Sequence, residues 1–434
     1  MRRSESQSLK VDKMDKPHRK VSAEEAIRAI KPGDTVYIDG GCGEPQTLVE
    51  ALVEDRERLK GTHLLDSRVL PGSKYAKLTD YFHIITFHVS SDLIEGIKSG
   101  VVDYLPARLV QIASLFGTSL PIDVALVQVS PPDEKGYCSL GIAVGYNREA
   151  VLNAKIAIAE VNEQMPATFG NNAIHINQLD YLVECSRPLP PWRNPKIGPE
   201  EEAVAKNVSY LIPDEATLCI GIGAVPESLA KSLVDKRHLG IHSGMMGDGM
   251  VDLIESGVVT NERKRIDTGK TVIAGALGGE KLLSFVHKNP LVELHPYSYT
   301  HAIMTVRQIE NFVTVLSGLE IDLTGQLNAE SIGETQISAV GGQADWIRGA
   351  DLSPGGKSII AFGSTARGKT SRIVPRLKEG TIISTPRYDV DYIVTEYGIA
   401  ELKGKTLSQR AKALISIAHP DFREELERAW RGED

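Results

Sequence analysis

The chain is sparing with cysteine, with long apolar runs and with positive charge, and each shortage removes a class of protein. Its four cysteines, Cys42, Cys138, Cys185 and Cys219, lie far apart in 434 residues. None belongs to a CxxC pair or a Cys/His ligand pattern, so neither a disulfide framework nor a zinc site is indicated, and no metal is expected. Buried thiols in a reducing cytosol account better for them. No stretch approaches the roughly eighteen uninterrupted apolar residues of a membrane span. Residues 1–20 are polar and basic and lack the apolar segment of a secretory leader, so they read as a disordered tail on a cytoplasmic protein. Lys and Arg total 49 against 57 Asp and Glu, a formal charge of -8 that gives no support to nucleic-acid or acidic-membrane binding.

What is present is the material of a soluble globular protein, with 41% hydrophobic and 24% charged residues. The length argues for two or three domains. A repeat favours two: Pro32 to Gly40 and then Pro45 recur, with the same spacing, as Pro213 to Gly221 and Pro226, each displaced by 181 positions. Both copies read as a short β-branched run, a glycine turn and a helix. Ser22 followed by Glu25 is a capping-box arrangement ahead of an amphipathic helix that Pro32-Gly33 stops. Further strand candidates are Ile84–Val89, Val124–Val129 and Ile156–Val161, separated by helical segments. That alternation predicts α/β architecture with mostly parallel sheets covered on both faces. Five prolines between Ser186 and Pro199 mark a linker, so domains are expected over 21–197 and 198–434.

A glycine pair at a strand end lets the backbone approach a ligand, and the N–H groups of the following helix's first turn point into the same space. Gly221 to Val225 therefore suits a phosphate or an oxyanion, although a tight packing turn would look the same. The segment lacks the third glycine of a dinucleotide fold and the Gly-Lys-Ser/Thr of a P-loop. Two more glycine-rich turns follow, Leu239 to Met250 and Val340 to Gln343.

Taken in order, GIGAVP, LGIHSGMMGDG, EIDLTGQLNAESIG, QISAVGGQADWIRGA, STARGKTSRIVP and DVDYIVTEYGIAELKGKTLSQRAKALISIAHPDFREEL resemble the consecutive motifs of the acetyl-CoA hydrolase/transferase family, its 4-hydroxybutyrate-, butyryl- and itaconate-type CoA-transferases above all. VSPPDEKGYCSLG and AEVNEQMP resemble the family's first-half motifs, so the likeness runs from about Val21 to Leu426. It implies two similar NagB/RpiA-like α/β domains related by duplication, a homodimer or larger homo-oligomer, and exchange of coenzyme A between a short-chain acyl-CoA and a small carboxylic acid. It also implies that Gly221, Ile222, Gly223, Ala224, Val225, Gly341 and Gly342 line the thioester and CoA site, with Leu319 near the pantetheine arm. Coenzyme A carries phosphates, and Arg367 and Lys369 of the basic run Thr365–Lys378 are the favoured cations.

One position departs from the pattern. Related transferases carry His-Ser-Glu-Met or His-Thr-Glu-Met, with the glutamate as nucleophile, where this chain reads His242-Ser243-Gly244-Met245. Glycine cannot form an anhydride. Three readings follow: another carboxylate serves, Glu44, Asp66 or Asp248; the protein is an acyl-CoA hydrolase; or it binds CoA without transferring it. If Gly244 has ordinary backbone angles, a glutamate there could restore or alter transfer; if it needs a positive φ, the loop should be destabilised instead. His242 reads equally as a group that orients a reacting carbonyl and as a structural hydrogen-bonder. Plainer roles are expected for other neighbours: a helix cap for Asp248 ahead of a helix near Val251, solvated strand carboxylates for Glu320, Asp322 and Glu330, and a structural Glu396.

Overall fold

The computed structural model describes residues 18–40, 43–67, 70–190, 192 and 195–433. The chain divides into two units: Met1–Trp192 with Ala274–Ser298, and Arg193–Ile273 with Tyr299–Asp434. The segment 274–298 thus clusters with the first unit, although it lies inside the 198–434 span expected for the second domain. Of the expected tail, residues 1–17 lie outside the described residues. Arg19–Lys20 is corrected from tail to strand, because it pairs in parallel with Tyr181–Leu182 and satisfies backbone groups a free tail would leave to water.

In the first unit the strands are β1 (Arg19–Lys20), β2 (Thr35–Ile38), β3 (Thr62–Asp66), β4 (Phe82–Thr86), β5 (Val102–Tyr104), β6 (Val124–Val129), β7 (Ile156–Asn162) and β8 (Tyr181–Cys185). They form one parallel sheet in the order β1-β8-β7-β6-β2-β3-β4-β5. Every residue of β6 is buried, which is why its sequence, VALVQV, runs apolar instead of alternating. One face carries Val36, Ile38, Leu64, Ile84, Val124 and Leu126 against Ile27, Leu48 and Leu52. Full burial of each such side chain is worth about 1.5–3 kcal/mol.

Helix α1 (Gln46–Glu54) begins directly after Pro45, which offers no side-chain cap. The capping acceptor comes from β7: Glu160 Oε2 accepts from the N–H groups of Thr47 and Leu48, at 2.7 and 3.1 Å. A carboxylate at that end satisfies orphan donors and faces the positive end of the helix dipole.

The second unit's sheet has the strands β9 (Thr217–Ile220), β10 (Gly240–Ile241), β11 (Phe312–Leu316), β12 (Lys357–Ala361), β13 (Tyr392–Thr395) and β14 (Gly398–Glu401). Their order is β10-β9-β11-β12-β13-β14, parallel except for the last pair. Its helices include α2 (Pro199–Ser209), α3 (Ala224–Ser232), α4 (Asp248–Glu255), α5 (Gln343–Leu352) and α6 (Leu407–Ser416). Ser186 to Gly198 holds no helix or strand among the described residues. The repeated prolines have different settings: Pro45 is the N-cap residue of α1, whereas Pro226 is the third residue of α3. Glycine makes that earlier start possible, since Gly223 caps α3 with φ 135° and ψ -179°, a region essentially closed to other residues.

Candidate functional site

Both sheets have a topological switch point, and both copies of the repeated turn stand there. In the first unit, β3 to β5 lie on one side of β2 and β6 on the other; in the second, β10 lies on one side of β9 and β11 on the other. Outside the carboxyl ends of two such strands a crevice opens, and open α/β sheets bind ligands in it.

In the second unit this crevice is a cavity of about 310 Å³. The turn and first helical residues from Gly221 to Pro226 line it, with Val315 to Ser317 after β11, Phe362 and Gly363 after β12, and the side chains of Glu200 and Arg372. The first N–H groups of a helix have no intrahelical acceptor, so α3 presents donors here. Burial, and next the nearby Glu396 carboxylate, hold Glu200 above the usual carboxylate range, with Arg372 opposing. Glu396 itself accepts from the Ser364 N–H at 2.8 Å and its hydroxyl at 2.6 Å, the structural role expected of it.

The structure brings only some of the expected binding residues together. Gly221, Ile222, Gly223, Ala224 and Val225 share the cavity; Leu319, Gly341, Gly342, Arg367 and Lys369 are not among its lining residues. Arg367 and Lys369 lie in and beside the tip of the hairpin pairing Thr365–Ala366 with Thr370–Ser371. The cation that reaches the cavity is Arg372, a few residues further on. Charge density marked the segment, but only the hairpin's return decides which residue faces inward.

Adjoining the cavity turn is the loop containing Gly244. Ser243 Oγ lies 3.1 Å from the Ile220 carbonyl oxygen and 2.9 Å from that of Met245, tying this loop to the end of β9. His242 is fully buried, with Nε2 2.9 Å from the Thr300 carbonyl oxygen. Gly244 is not among the positive-φ glycines. Its smallness is required by a neighbour instead: an added Cβ would lie 2.9 Å from His301 Cε1 and 3.1 Å from Nε2.

The candidate carboxylates differ in setting. Glu44 is half-buried in the first unit's turn, and its carbonyl oxygen accepts from Gln128 Nε2 of β6 at 2.9 Å. The neighbouring Gly41 and Cys42 lie outside the described residues. Asp66 is fully buried at the end of β3, paired in register with Ile38, and Tyr75 donates its hydroxyl to Oδ1 at 3.2 Å. Asp248 is corrected from cap to first helical residue: α4 starts there, three residues earlier than expected, after Gly247. The carboxylate serving that terminus is Glu227 of α3, whose Oε2 accepts from the Gly249 N–H at 3.1 Å. Solvated roles for Asp322 and Glu330 are likewise corrected, since both are buried. Asp322 Oδ1 accepts from the N–H groups of Thr324 and Gln326 and from the Thr324 hydroxyl, an Asx turn that replaces water. Glu320 is half-buried and accepts from Asn328 Nδ2 at 3.0 Å.

Sequence reasoning missed Asp39. It ends the apolar run TVYI, immediately before the glycine turn, and is buried there with Oδ1 accepting from the Gly40 N–H at 2.6 Å. Burial pushes its carboxyl well above the usual range, and the Glu44 charge adds to the effect, against the opposing pull of the Asn147 side chain and the Gly40 N–H. Asp39 and Glu44 thus place two carboxyls near one turn in different settings, one buried and one half-buried. A lone aspartate capping a strand was the only signal available in the sequence.

Among the described residues, no group of three His, Cys, Asp or Glu side chains is placed to hold a metal ion, and no helix is long and apolar enough to cross a membrane.

Two parallel-sheet units with glycine turns at their switch points define a CoA-transferase-like fold and site, and the chain belongs to the acetyl-CoA hydrolase/transferase family. Residues 4–189 match the family's N-terminal domain and residues 278–430 its C-terminal domain. The chain is 44% identical to the 4-hydroxybutyrate coenzyme A transferase of Clostridium kluyveri, covering 94% of this chain and 96% of that protein. It is 42% identical to the succinyl-CoA:cyclohexane-1-carboxylate CoA transferase of Geobacter metallireducens, covering 94% of each. The crystal structure of RipA from Yersinia pestis superposes with a TM-score of 0.90 at 34% identity, covering 99% of both chains.

Proposed function

We propose that the protein is a CoA-transferase that moves coenzyme A from a short-chain acyl-CoA to a small carboxylate of the 4-hydroxybutyrate, butyrate or acetate type. The observation that carries this reading is the cavity at the switch point of a chain whose relatives, 42–44% identical, are CoA-transferases. Gly221 to Val225 supply backbone donors toward the thioester, and Arg372 meets an anionic group of coenzyme A. Each tetrahedral oxyanion needs such donors, and losing one costs about 2.7–4 kcal/mol of transition-state stabilisation.

The chemistry is covalent catalysis by a carboxylate, which we assign to Glu44. Its oxygen attacks the thioester carbonyl, the C–S bond breaks, and an acyl-glutamyl anhydride forms as CoA leaves as thiolate. The thiolate attacks the glutamyl carbonyl and expels the first acid, leaving a glutamyl-CoA thioester. The second acid's carboxylate repeats the sequence in reverse and departs as its CoA ester. Glu44 stands at the same turn as Asp39, whose carboxyl burial pushes well above the usual range. The same reading carries a cytoplasmic homodimer working in carboxylic acid metabolism.

Incubating the protein with acyl-CoA, trapping with borohydride and mapping the modified carboxylate by mass spectrometry tests the assignment. Modification at Glu44, lost together with acid-dependent exchange in Glu44→Gln, is expected. Modification at Asp66 or Asp248 moves the role to that residue. Release of free CoA without an acceptor acid, at the rate of exchange, makes the protein a hydrolase instead.

A further inference from the structure

The glycine at 244 has a counterpart in space. His301, 1% exposed, directs its Cε1–Nε2 edge at Gly244 and its Cδ2–Nε2 edge at Gly342, where an added Cβ would lie 2.5 Å from Cδ2 and 2.6 Å from Nε2. The ring is held on its other sides. Thr300 Oγ1 is 2.9 Å from Nδ1, and the Trp346 ring lies against it with centroids 4.1 Å apart at 44°. Thr300 is fixed in turn by the contact of its carbonyl oxygen with His242. An imidazole anchored on two sides cannot swing away from a new methyl group as the tip of a flexible chain would. Because Gly244 lacks a positive φ, it is this ring, not the backbone, that demands glycine.

We propose that His301 is a positioning residue for the Gly244 and Gly342 turns, and that its ring holds the space a side chain at 244 would enter, so that an imidazole at 301 and a carboxylate at 244 are alternatives. The chain has taken the first. Its catalytic part rests on the transferase reading; its steric part does not.

The test is a double-mutant cycle on the full chain with Gly244→Ala and His301→Ala, read by melting temperature and by the kcat and KM of CoA exchange. Gly244→Ala should melt several degrees lower, and the double variant should melt above the sum of the two single effects. If Gly244→Ala does not fold, recovery of folding in the double variant supports the pair, and failure to recover, with His301→Asn tried in place of His301→Ala, overturns it. His301→Ala should lower kcat by about 100-fold, the scale of a displaced catalytic backbone, while the KM for acyl-CoA stays within about twofold. After acyl-CoA and borohydride, residue 244 should be labelled in Gly244→Glu/His301→Ala and not in Gly244→Glu alone. Additive melting shifts, labelling of Gly244→Glu alone, or an unchanged kcat in His301→Ala would overturn the proposal. A wild type that exchanges no CoA sinks the transferase reading, and the melting cycle still decides the pair.

Discussion

Replacing each of the two turn glycines by alanine should give opposite results, although they stand two residues apart in the same cavity. At Gly221 a Cβ meets nothing within 4 Å, and the residue is not among the positive-φ glycines. Gly221→Ala should therefore be neutral, or stabilising by about 0.4–1 kcal/mol through a less flexible unfolded chain. At Gly223 crowding is also minor, with Pro226 Cδ at 3.8 Å, but the backbone has φ 135° and ψ -179°. A Cβ there costs about 1–3 kcal/mol if the turn keeps its shape. With about 2–4 °C per kcal/mol for a unit of this size, the melting temperature should fall by several degrees. If the turn relaxes instead, the first N–H groups of α3 lose their aim, and affinity for coenzyme A should drop by up to about tenfold, the equivalent of 1.4 kcal/mol. Differential scanning fluorimetry with and without coenzyme A, paired with titration calorimetry, separates the two routes. Equal behaviour of the two variants in both assays would refute the argument, because only φ distinguishes them.

Other outcomes follow from charge. Arg187 and Lys74 hold Glu50 down to a pKa of about 2, against the opposing effect of burial. Undamped, that depression corresponds to roughly 3 kcal/mol, but solvent at this partly exposed group reduces it to about 1 kcal/mol. The contribution is complete above the unfolded pKa and lost as pH falls toward 2, so urea midpoints of wild type and Glu50→Gln should differ at pH 7 and converge in acid. Asp39 has the opposite sign: its folded pKa is raised, so the unfolded chain gains on ionisation as pH rises past the usual carboxylate range. Asp39→Asn should accordingly stabilise the fold at pH 7, with the gain vanishing below about pH 4, and a constant difference across that range would contradict a raised Asp39 carboxyl. Arg372→Gln should weaken coenzyme A binding about tenfold at low salt and less at high salt, as charge-assisted contacts do; a salt-independent loss would remove the guanidinium from phosphate recognition.

The local periodicities needed only neighbouring residues to be read. Apolar β-branched runs such as VALVQV, the Ser22 cap whose Oγ accepts from the Glu25 N–H at 3.2 Å, and the helix ahead of His419-Pro420 are set by spacing and side-chain type over a few positions. The order of the glycine motifs carried the family, because motif order is a property of the chain itself. The sequence could not say which partner completes each of these elements. Glu160 reaches α1 from 113 positions away, and Glu227 serves the start of α4 where Asp248 was expected to. Arg372 lines the cavity in place of Arg367 and Lys369 because a hairpin turns between them.

Gly244 shows the division most clearly. Its identity, and its departure from the glutamate that the resemblance implied, stood in the sequence. Why it must be small did not, because the reason is an imidazole 57 positions later, brought within 3.1 Å of where a Cβ would stand. Sequence alone determined the two α/β units, the duplicated turn and the family, since these rest on local pattern and order. The tertiary structure decided which residues line the crevice, which carboxyl is buried beside the first turn and which ring occupies the space beside Gly244. Those depend on burial and close packing between segments distant in the chain, and no local pattern records them.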